Sequence, residues 1–464
     1  MSQLSSRERQ LSTVRLVVTA GSPLAEIFII DQDFALVDRS VGDFNAELPA
    51  GVYKVKAKLA DAATERLILL QDDATLDISR DLIVRSAVPL AEASTNRPLD
   101  SLQVPEDRGA SRVDNRAEIL MMTRSDTIAG DTSARPPRIS LLSTDGKRIA
   151  SLEPNSLGLD HQSSTIIQVD PGPYFARRED RFGDAAEQCL YALNGWQTQL
   201  FTSEEPGEED EIGRIRVSVL MSRDGFDPSD PELHTVEEAR TALAEERKIA
   251  TAELGQLCET TENPMLALFG AHLMLIARDT ELRESEQRET GRLDRDAVTA
   301  PVQFDQTSFD RIVDRLSVAL GPEHADVVAL ATQRTNQSLD ALHPISAPPM
   351  LWRSWILLIA ASNEVPRLVP IHTWQRTLHV LPLRPFFLWA PVDEPRINDS
   401  LKQSIVTSIS ANARAAHSPH GPTAPSLAWP QEPAKSDDED RRRLSAQLLV
   451  PRAAIDELAS GGSL

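Results

Sequence analysis

The chain has 464 residues and a formal net charge of -22, with 41% hydrophobic and 25% charged residues. A single hydrophobic core rarely serves a chain of this length, so we expect several globular domains. The strong negative charge repels nucleic acid phosphates and anionic lipid head groups. We therefore predict a partner that is neither nucleic acid nor membrane.

The cysteines and the apolar runs indicate the compartment. Cys189 and Cys258 lie far apart and form no CxxC pair, so we expect no disulfide framework and a reducing environment. Residues 1–13 are polar and lack the apolar core of a signal peptide. The apolar runs 264–277 and 355–361 are shorter than the ~20 residues that cross a bilayer as a helix. Together these features predict a cytoplasmic protein.

The first predicted domain spans residues 11–85 and consists of strands. Its clearest strand begins at Val52, where apolar and polar side chains alternate with the period of a half-buried strand. Residues 91–137 are polar apart from one apolar cluster at 119–122. This pattern predicts a small β-sandwich module followed by a linker over residues 86–137 with one short ordered element.

A second β-rich domain, residues 138–222, repeats one feature of the first. Asp145-Gly146 predicts a hairpin turn, because this pair tolerates the positive φ that such a turn needs. Residues 49–53, PAGVY, have a counterpart in residues 171–174, PGPY. The chain has only three tyrosines, and two of them stand at this place. We interpret this as a divergent internal repeat, in which a Pro/Gly turn leads into the last strand of each sandwich.

These two turns resemble the PxGxY ending of PEGA-type and carboxypeptidase-regulatory-like β-sandwich domains, which residues 49–53 match in full. The resemblance covers residues 11–85 and again 138–178. Such domains serve as binding or spacer modules, so the resemblance implies two modules without catalysis of their own.

The period becomes helical over residues 235–395. Thr235 and Glu238 fit a capping box that begins a first helix. Asn263 before Pro264 predicts the start of another helix, as an N-cap followed by proline at the first helical position. Further helices are predicted at residues 308–320, 323–333 and 350–361.

The end of the chain departs from this helical pattern. Prolines interrupt residues 365–395, so we expect an extended segment packed over the helical domain. Residues 396–464 predict a largely disordered tail with a short helix at 442–458. The predicted fold class is multidomain α+β, with two small antiparallel β-sandwich modules followed by a helical domain.

Three runs in the helical half carry a second resemblance: residues 263–266 (NPML), 320–324 (LGPEH) and 349–355 (PMLWRSW). They resemble uncharacterised bacterial proteins that are often encoded with caspase-like proteases in conflict or defence systems. The resemblance implies a context and a caspase-like protease as a candidate partner. It implies no activity.

The sequence carries no recognisable motif for catalysis, cofactor binding or metal binding. It lacks the GxxxxGK[ST] loop, the GxGxxG loop, the GxSxG elbow, the HExxH helix and the calcium-binding loop. We therefore predict no cofactor, no metal and no enzymatic activity. The alternative is a hydrolase with a site assembled from scattered residues such as His161 and Cys189, which stand in the order of a caspase-like dyad. Core packing explains Cys189, Cys258 and His272 more simply.

We therefore predict a non-enzymatic protein-protein interaction protein, an adaptor, regulator or effector in a bacterial defence or conflict system. Four of the six tryptophans lie within residues 352–389, and large aromatic side chains are the usual anchors of an interface. The predicted partner-binding residues are Trp352, Trp374, Phe386, Phe387 and Trp389. We expect Trp374 and Trp389 to keep part of their surface exposed, since an extended segment buries only part of its side chains.

Overall fold

A computed structural model of the chain describes residues 13–59, 62–82, 86–90, 116–125, 138–152, 162–179, 185–204, 215–247, 249, 251–289, 304–381, 384–391 and 437–459. Antiparallel sheets occupy the N-terminal half and helices dominate the C-terminal half, which confirms the predicted α+β class. The described residues fall into two compact units. Unit 1 lies within residues 1–112, 199–203 and 215–312, and unit 2 lies within residues 113–198, 204–214 and 313–464. The units are interleaved along the chain, whereas the segments predicted from the sequence are each continuous.

The first module is a sandwich of two sheets in unit 1. Its strands are β1 (Thr13–Thr19), β2 (Glu26–Asp31), β3 (Leu36–Val41), β4 (Phe44–Pro49), β5 (Gly51–Leu59), β6 (Ala62–Leu70) and β7 (Ala74–Asp77). One sheet has the order β4-β1-β7 and the other the order β3-β2-β5-β6. Alternate side chains of a strand face the same side, so Leu16, Ile27, Ile29 and Val55 meet in a buried core.

The second module lies in unit 2 and repeats this topology. Its strands are β8 (Ala117–Ser125), β9 (Arg138–Leu142), β10 (Arg148–Leu152), β11 (Gln162–Val169), β12 (Gly172–Glu179) and β13 (Ala185–Ala192). β11 pairs with β8 as β4 pairs with β1, and the order β10-β9-β12-β13 matches β3-β2-β5-β6. β8 is the ordered element expected within the polar residues 86–137. The two turns that suggested a repeat thus belong to six strands in the same order.

The two tyrosines occupy equivalent positions. Tyr53 and Tyr174 are each the third residue of their strand, β5 and β12. Each hydroxyl donates to the backbone carbonyl four residues earlier, at Pro49 and Asp170, and both distances are 2.8 Å. Burial raises the pKa of both phenols above the usual value. The predicted equivalence is confirmed, but the expectation that these are the last strands is wrong, because β6 and β13 follow them.

Four strands and nine helices complete the described part of the chain. The strands are β14 (Gln197–Glu204), β15 (Ile215–Ser222), β16 (His379–Leu381) and β17 (Leu388–Ala390). The helices are α1 (Pro231–Ala244), α2 (Thr251–Thr260), α3 (Pro264–Glu289), α4 (Gln306–Leu320), α5 (Ala325–Ala331), α6 (Trp352–Ser362), α7 (Ile371–Arg376), α8 (Asp437–Leu448) and α9 (Arg452–Ala459). Among them, none is long and apolar enough to cross a bilayer. The chain end therefore carries two helices, α8 and α9, where the sequence predicted one.

Local capping explains where two of the helices begin. Asn263 is the predicted N-cap of α3, since its side-chain oxygen accepts a hydrogen bond from the backbone N–H of Met265 at 3.0 Å. The capping box predicted at Thr235 is wrong, because α1 already begins at Pro231. Its N-cap is Asp230, whose carboxylate accepts the backbone N–H of Glu232.

Glu238 contacts the first module instead of capping a helix. The hydroxyl of Ser22 donates to its carboxylate, and Arg247 pairs with Glu26 of β2 at 3.5 Å. Burial raises the pKa of Glu238 to about 7, against the lowering effect of the Ser22 hydroxyl. The contacts of Glu238 with Ser22 and of Arg247 with Glu26 therefore join the first module to the helical part of unit 1. One of these groups, the carboxyl of Glu238, titrates near neutral pH.

Helices α2 and α3 approach closely at a glycine. A Cβ built on Gly270 would lie 2.0 Å from Sγ of Cys258 and 3.5 Å from Cβ of that cysteine. Cys258 is buried and reduced, so its thiol fills the space that a side chain at position 270 would need. This agrees with the prediction that Cys258 is a core residue.

We predict that Gly270→Ala lowers the free energy of unfolding by about 1–3 kcal/mol, the usual cost of an overpacked core. In the double variant Cys258→Ala/Gly270→Ala most of this cost should disappear, because the nearest remaining contacts, at 3.5 and 3.6 Å, are ordinary. Urea denaturation of the four chains of this double-mutant cycle gives the coupling energy. Simple additivity of the two single variants would contradict the proposed clash.

We predict that the stability of unit 1 depends on the ionisation of Glu238. A folded-state pKa raised from 4.5 to about 7 stabilises the fold below pH 4.5, and this contribution is lost as the pH rises through 7. Glu238→Gln stays neutral, so its stability relative to the natural chain should rise by on the order of 1 kcal/mol between pH 5 and pH 8. Urea midpoints at the two pH values measure this difference, and parallel pH profiles would contradict it.

Candidate functional site

The five aromatic residues predicted to bind a partner all lie in unit 2, and four of them are buried. Trp374 is 3% exposed, Phe386 2%, and Phe387 and Trp389 0%, while Trp352 is half-buried. The expectation that Trp374 and Trp389 keep exposed surface is therefore wrong. The segment is not merely extended: Trp374 lies in α7, and β17 is an added strand that pairs antiparallel with β13.

The rings form one cluster inside unit 2. Phe387 stacks on Trp355 with centroids 4.8 Å apart, and Trp352 and Trp389 lie 5.9 and 5.6 Å from it. Phe175 of β12 meets Trp389 edge to face at 5.9 Å. These offset contacts are typical of a protein core. In this structure the aromatic residues join the sheet of the second module to α6.

A buried carboxylate fixes the same region. Glu187 of β13 is 1% exposed and accepts hydrogen bonds from Arg177 at 2.8 Å, from Arg376 at 3.0 Å and from the indole N–H of Trp389 at 3.1 Å. The Arg376 guanidinium also lies 3.8 Å over the ring of Phe175. A buried charge must be paired and hydrogen-bonded, so Glu187 holds β12, α7 and β17 together.

The alternative catalytic pair does not form a described site. His161 lies outside the described residues. Cys189 is fully buried, and burial raises the pKa of its thiol well above the usual value. A catalytic cysteine needs the thiolate and access to substrate, and this environment favours the protonated thiol. His272 is likewise buried within α3.

Sequence reasoning missed a polar cluster beside Cys189. His324 caps α5 by accepting the backbone N–H of Asp326 at 3.2 Å, and its ring lies 3.6 Å from that of Tyr191. The Asp326 carboxylate accepts the backbone N–H groups of Met350 and Leu351 at 2.8 and 3.0 Å. Burial lowers the pKa of His324 to about 3 and raises that of Asp326 to about 6. Both groups are fully buried, so the cluster organises the helices α5 and α6.

Metal binding has no support among the described residues, where no group of three or more His, Cys, Asp or Glu side chains could hold an ion. The carboxylates of Glu187 and Asp326 described above are themselves buried in unit 2. The exposed features of the molecule are better candidates for function.

The first module exposes apolar side chains on the outer face of its sheet, the face opposite Tyr53. The exposed patch consists of Phe34 (84% exposed), Leu36 (47%), Val52 (42%), Leu67 (79%) and Leu69 (61%). Val52 faces Leu69 across β5 and β6, and Leu67 faces Lys54. Val52, Leu67 and Leu69 belong to neighbouring strands on this face, whereas Leu36 lies on β3, beyond β2, and Phe34 lies in the turn between β2 and β3. Exposed apolar side chains on a sheet face are typical of a binding surface.

Phe34 stands at the tip of the turn between β2 and β3 in a strained conformation. Its φ is +62°, a left-handed backbone that an aromatic residue rarely adopts. The turn is fixed by Asp31, whose carboxylate accepts the backbone N–H groups of Asp33 and Ala35 at 2.9 and 2.8 Å. Strained residues cluster at ligand-binding sites, and here the strain presents a large ring to solvent.

The second module has an equivalent face that is covered. The pairs Val52–Leu69, Lys54–Leu67 and Lys56–Glu65 of β5 and β6 correspond to Pro173–Tyr191, Phe175–Cys189 and Arg177–Glu187 of β12 and β13. In the second module β17, Arg376 and His324 contact these residues. In the first module Leu67 and Leu69 are exposed. One face is closed by the chain itself, and the other is open.

Comparison with known proteins adds no family. No protein-family model matches the chain, and no curated protein matches it. Among solved structures, it is similar to the crystal structure of a "putative cell adhesion protein" from Bacteroides fragilis, at 8% sequence identity and a TM-score of 0.15, over 47% of this chain and 99% of that one. A likeness at this TM-score carries no argument about fold or function.

We predict that equivalent carboxylates in the two modules differ in their effect on stability. Glu187→Gln leaves two partly buried guanidinium groups without their counter-ion and should lower the free energy of unfolding by about 2–4 kcal/mol. Glu65→Gln removes an exposed ion pair with Lys54 and Lys56, which solvent screens, and should leave the free energy of unfolding nearly unchanged. Urea denaturation of both variants measures the contrast, and equal costs would contradict the role assigned to Glu187.

Proposed function

We propose that the chain is a non-enzymatic protein-binding protein and that the exposed patch of the first module is its docking surface. The observation that carries the proposal is a difference between the two modules, which share one topology but differ in whether the outer face of the sheet is covered. The second module's face is covered by the chain's own aromatic residues, whereas the first module's face presents Phe34, Leu67 and Leu69 to solvent. An open apolar face on a sheet of this kind favours a protein partner.

Residue chemistry around the patch supports a protein rather than a small molecule. The apolar side chains lie on a sheet face, whereas small ligands are usually enclosed by a concave pocket. Lys54 lies opposite Leu67 across β5 and β6, and Lys54 and Lys56 both pair with Glu65, so charged side chains lie among the apolar ones. Protein interfaces combine apolar contacts with charged and polar side chains in this way.

The aromatic residues Trp374, Phe386, Phe387 and Trp389 have a different role in this proposal. They complete the core of unit 2, and their burial supports a docking surface elsewhere. The buried thiol of Cys189 supports a binding function over a hydrolase. The roles as adaptor, regulator or effector, the defence context, the caspase-like partner and the cytoplasmic location stay predictions from the sequence.

We predict that a photo-crosslinking residue, benzoylphenylalanine, placed at Leu67 gives a discrete protein adduct in cells of the native host. The matched control is Val318 of α4, which is 89% exposed and lies outside the patch. Phe34→Ser combined with Val52→Ser should reduce the adduct from position 67 about tenfold, which corresponds to about 1.4 kcal/mol of binding. Both side chains are exposed, so the melting temperature should stay unchanged.

Gels and mass spectrometry of the adducts give the readout. A similar yield of adducts from positions 67 and 318 would contradict a dedicated surface. So would an adduct from position 67 that survives the change of its two apolar neighbours.

A further inference from the structure

The second module reveals how a sheet of this topology accepts one more strand. β17 pairs antiparallel with the outer edge of β13, with Trp389 opposite Glu187 and Leu388 opposite Gln188. The indole N–H of Trp389 donates to the Glu187 carboxylate, so the added strand is held by the backbone and by a side chain on the outer face. Phe387 and Trp389 contribute their rings on this face.

The first module has the equivalent edge at β6. Within the described residues β6 is the last strand of the order β3-β2-β5-β6, so no strand pairs with its outer edge. The side chains of Thr64 and Arg66 donate hydrogen bonds to the Asp81 carboxylate of the short turn 79–81. Glu65 takes the place of Glu187, and Leu67 and Leu69 take the places of Cys189 and Tyr191. An edge strand leaves a row of backbone donors and acceptors open for pairing with another chain.

We propose that β6 accepts an extended segment of the partner protein as an additional antiparallel strand, as β13 accepts β17. The proposal rests on the docking function proposed above and specifies its chemistry. The segment carries a large apolar side chain opposite Leu67. It carries a side chain with an N–H donor, of the tryptophan type, opposite Glu65. Main-chain hydrogen bonds provide affinity and the alternate side chains provide specificity.

A strand fits this surface better than the other occupants. The exposed residues Leu67 and Leu69 alternate along an edge strand, and this spacing matches every second residue of an extended partner. A helix in a groove would instead need a concave surface. A second copy of the chain would bring together two proteins of net charge -22, whose mutual repulsion disfavours association.

The test uses a strand that the chain itself provides. A fluorescent peptide with the sequence of residues 384–391, RPFFLWAP, should bind the full-length protein and raise its fluorescence anisotropy. Leu67→Ser/Leu69→Ser should weaken this binding at least about tenfold, or about 1.4 kcal/mol. The matched control, Ile149→Ser, removes an apolar side chain that is 43% exposed on β10, an edge strand of the second module, and should have no effect.

Backbone methylation distinguishes strand pairing from contact of side chains alone. Backbone N–H groups of a strand point alternately to its two sides. One peptide is therefore N-methylated at the positions of Phe387 and Trp389, and a second at those of Phe386, Leu388 and Ala390. One of the two should lose binding at least about tenfold and the other should retain it, because only one set of N–H groups faces β6.

Each other outcome overturns strand addition. If both methylated peptides bind equally well or lose binding equally, the backbone of the ligand is not paired with β6. If the peptide fails to bind, or binds regardless of Leu67 and Leu69, the edge of β6 is not its site. A dimer that sedimentation detects and that excludes the peptide would assign the edge to a second copy. The crosslink from position 67 tests the docking function separately. If strand addition fails but the crosslink persists, the docking function stands. If the crosslink is also absent, the docking function is wrong as well.

Discussion

The organisation of unit 2 depends on one buried carboxylate, that of Glu187, which requires charged and hydrogen-bonding partners. Transfer of a charged group from water to the protein interior costs roughly several kcal/mol, unless other charges and hydrogen bonds replace the solvent. Glu187 meets this requirement with two guanidinium groups and an indole, from Arg177, Arg376 and Trp389. These partners come from a strand of the second module, from α7 and from β17. The compensation of a single charge therefore brings the aromatic segment onto the sheet and makes it part of the core.

Comparison of the two modules indicates that a few side chains determine whether the outer face of the shared sheet is covered or exposed. Arg177 and Glu187 stand where the first module has Lys56 and Glu65. A guanidinium binds a carboxylate with a planar fork that suits a buried site, whereas an ammonium stays strongly hydrated and suits the surface. The topology determines where the strands lie, and the residues on the outer face determine whether the chain covers that face or leaves it for a partner.

Local signals in the sequence predicted local structure well. The turn-tyrosine pattern identified equivalent positions at Tyr53 and Tyr174, and Asn263 marked the start of α3. Long-range pairing was beyond such signals. Trp389 finds its partner 202 positions away, and no periodicity in a short proline-rich segment indicates that distant contact. The candidate site was also hidden, because Phe34 adopts a left-handed backbone that its residue type disfavours and that turn patterns assign to glycine.

The separation between Glu187 and Trp389 has a consequence during synthesis of the chain on the ribosome. Translation adds about 5–20 residues per second, so these 202 positions correspond to roughly 10–40 s. Throughout that time the nascent second module lacks β17 and the ring cluster, while the first module already has all seven of its strands. A chain released before residue 388 would expose the outer edge of β13 in addition to that of β6, and open edges promote aggregation.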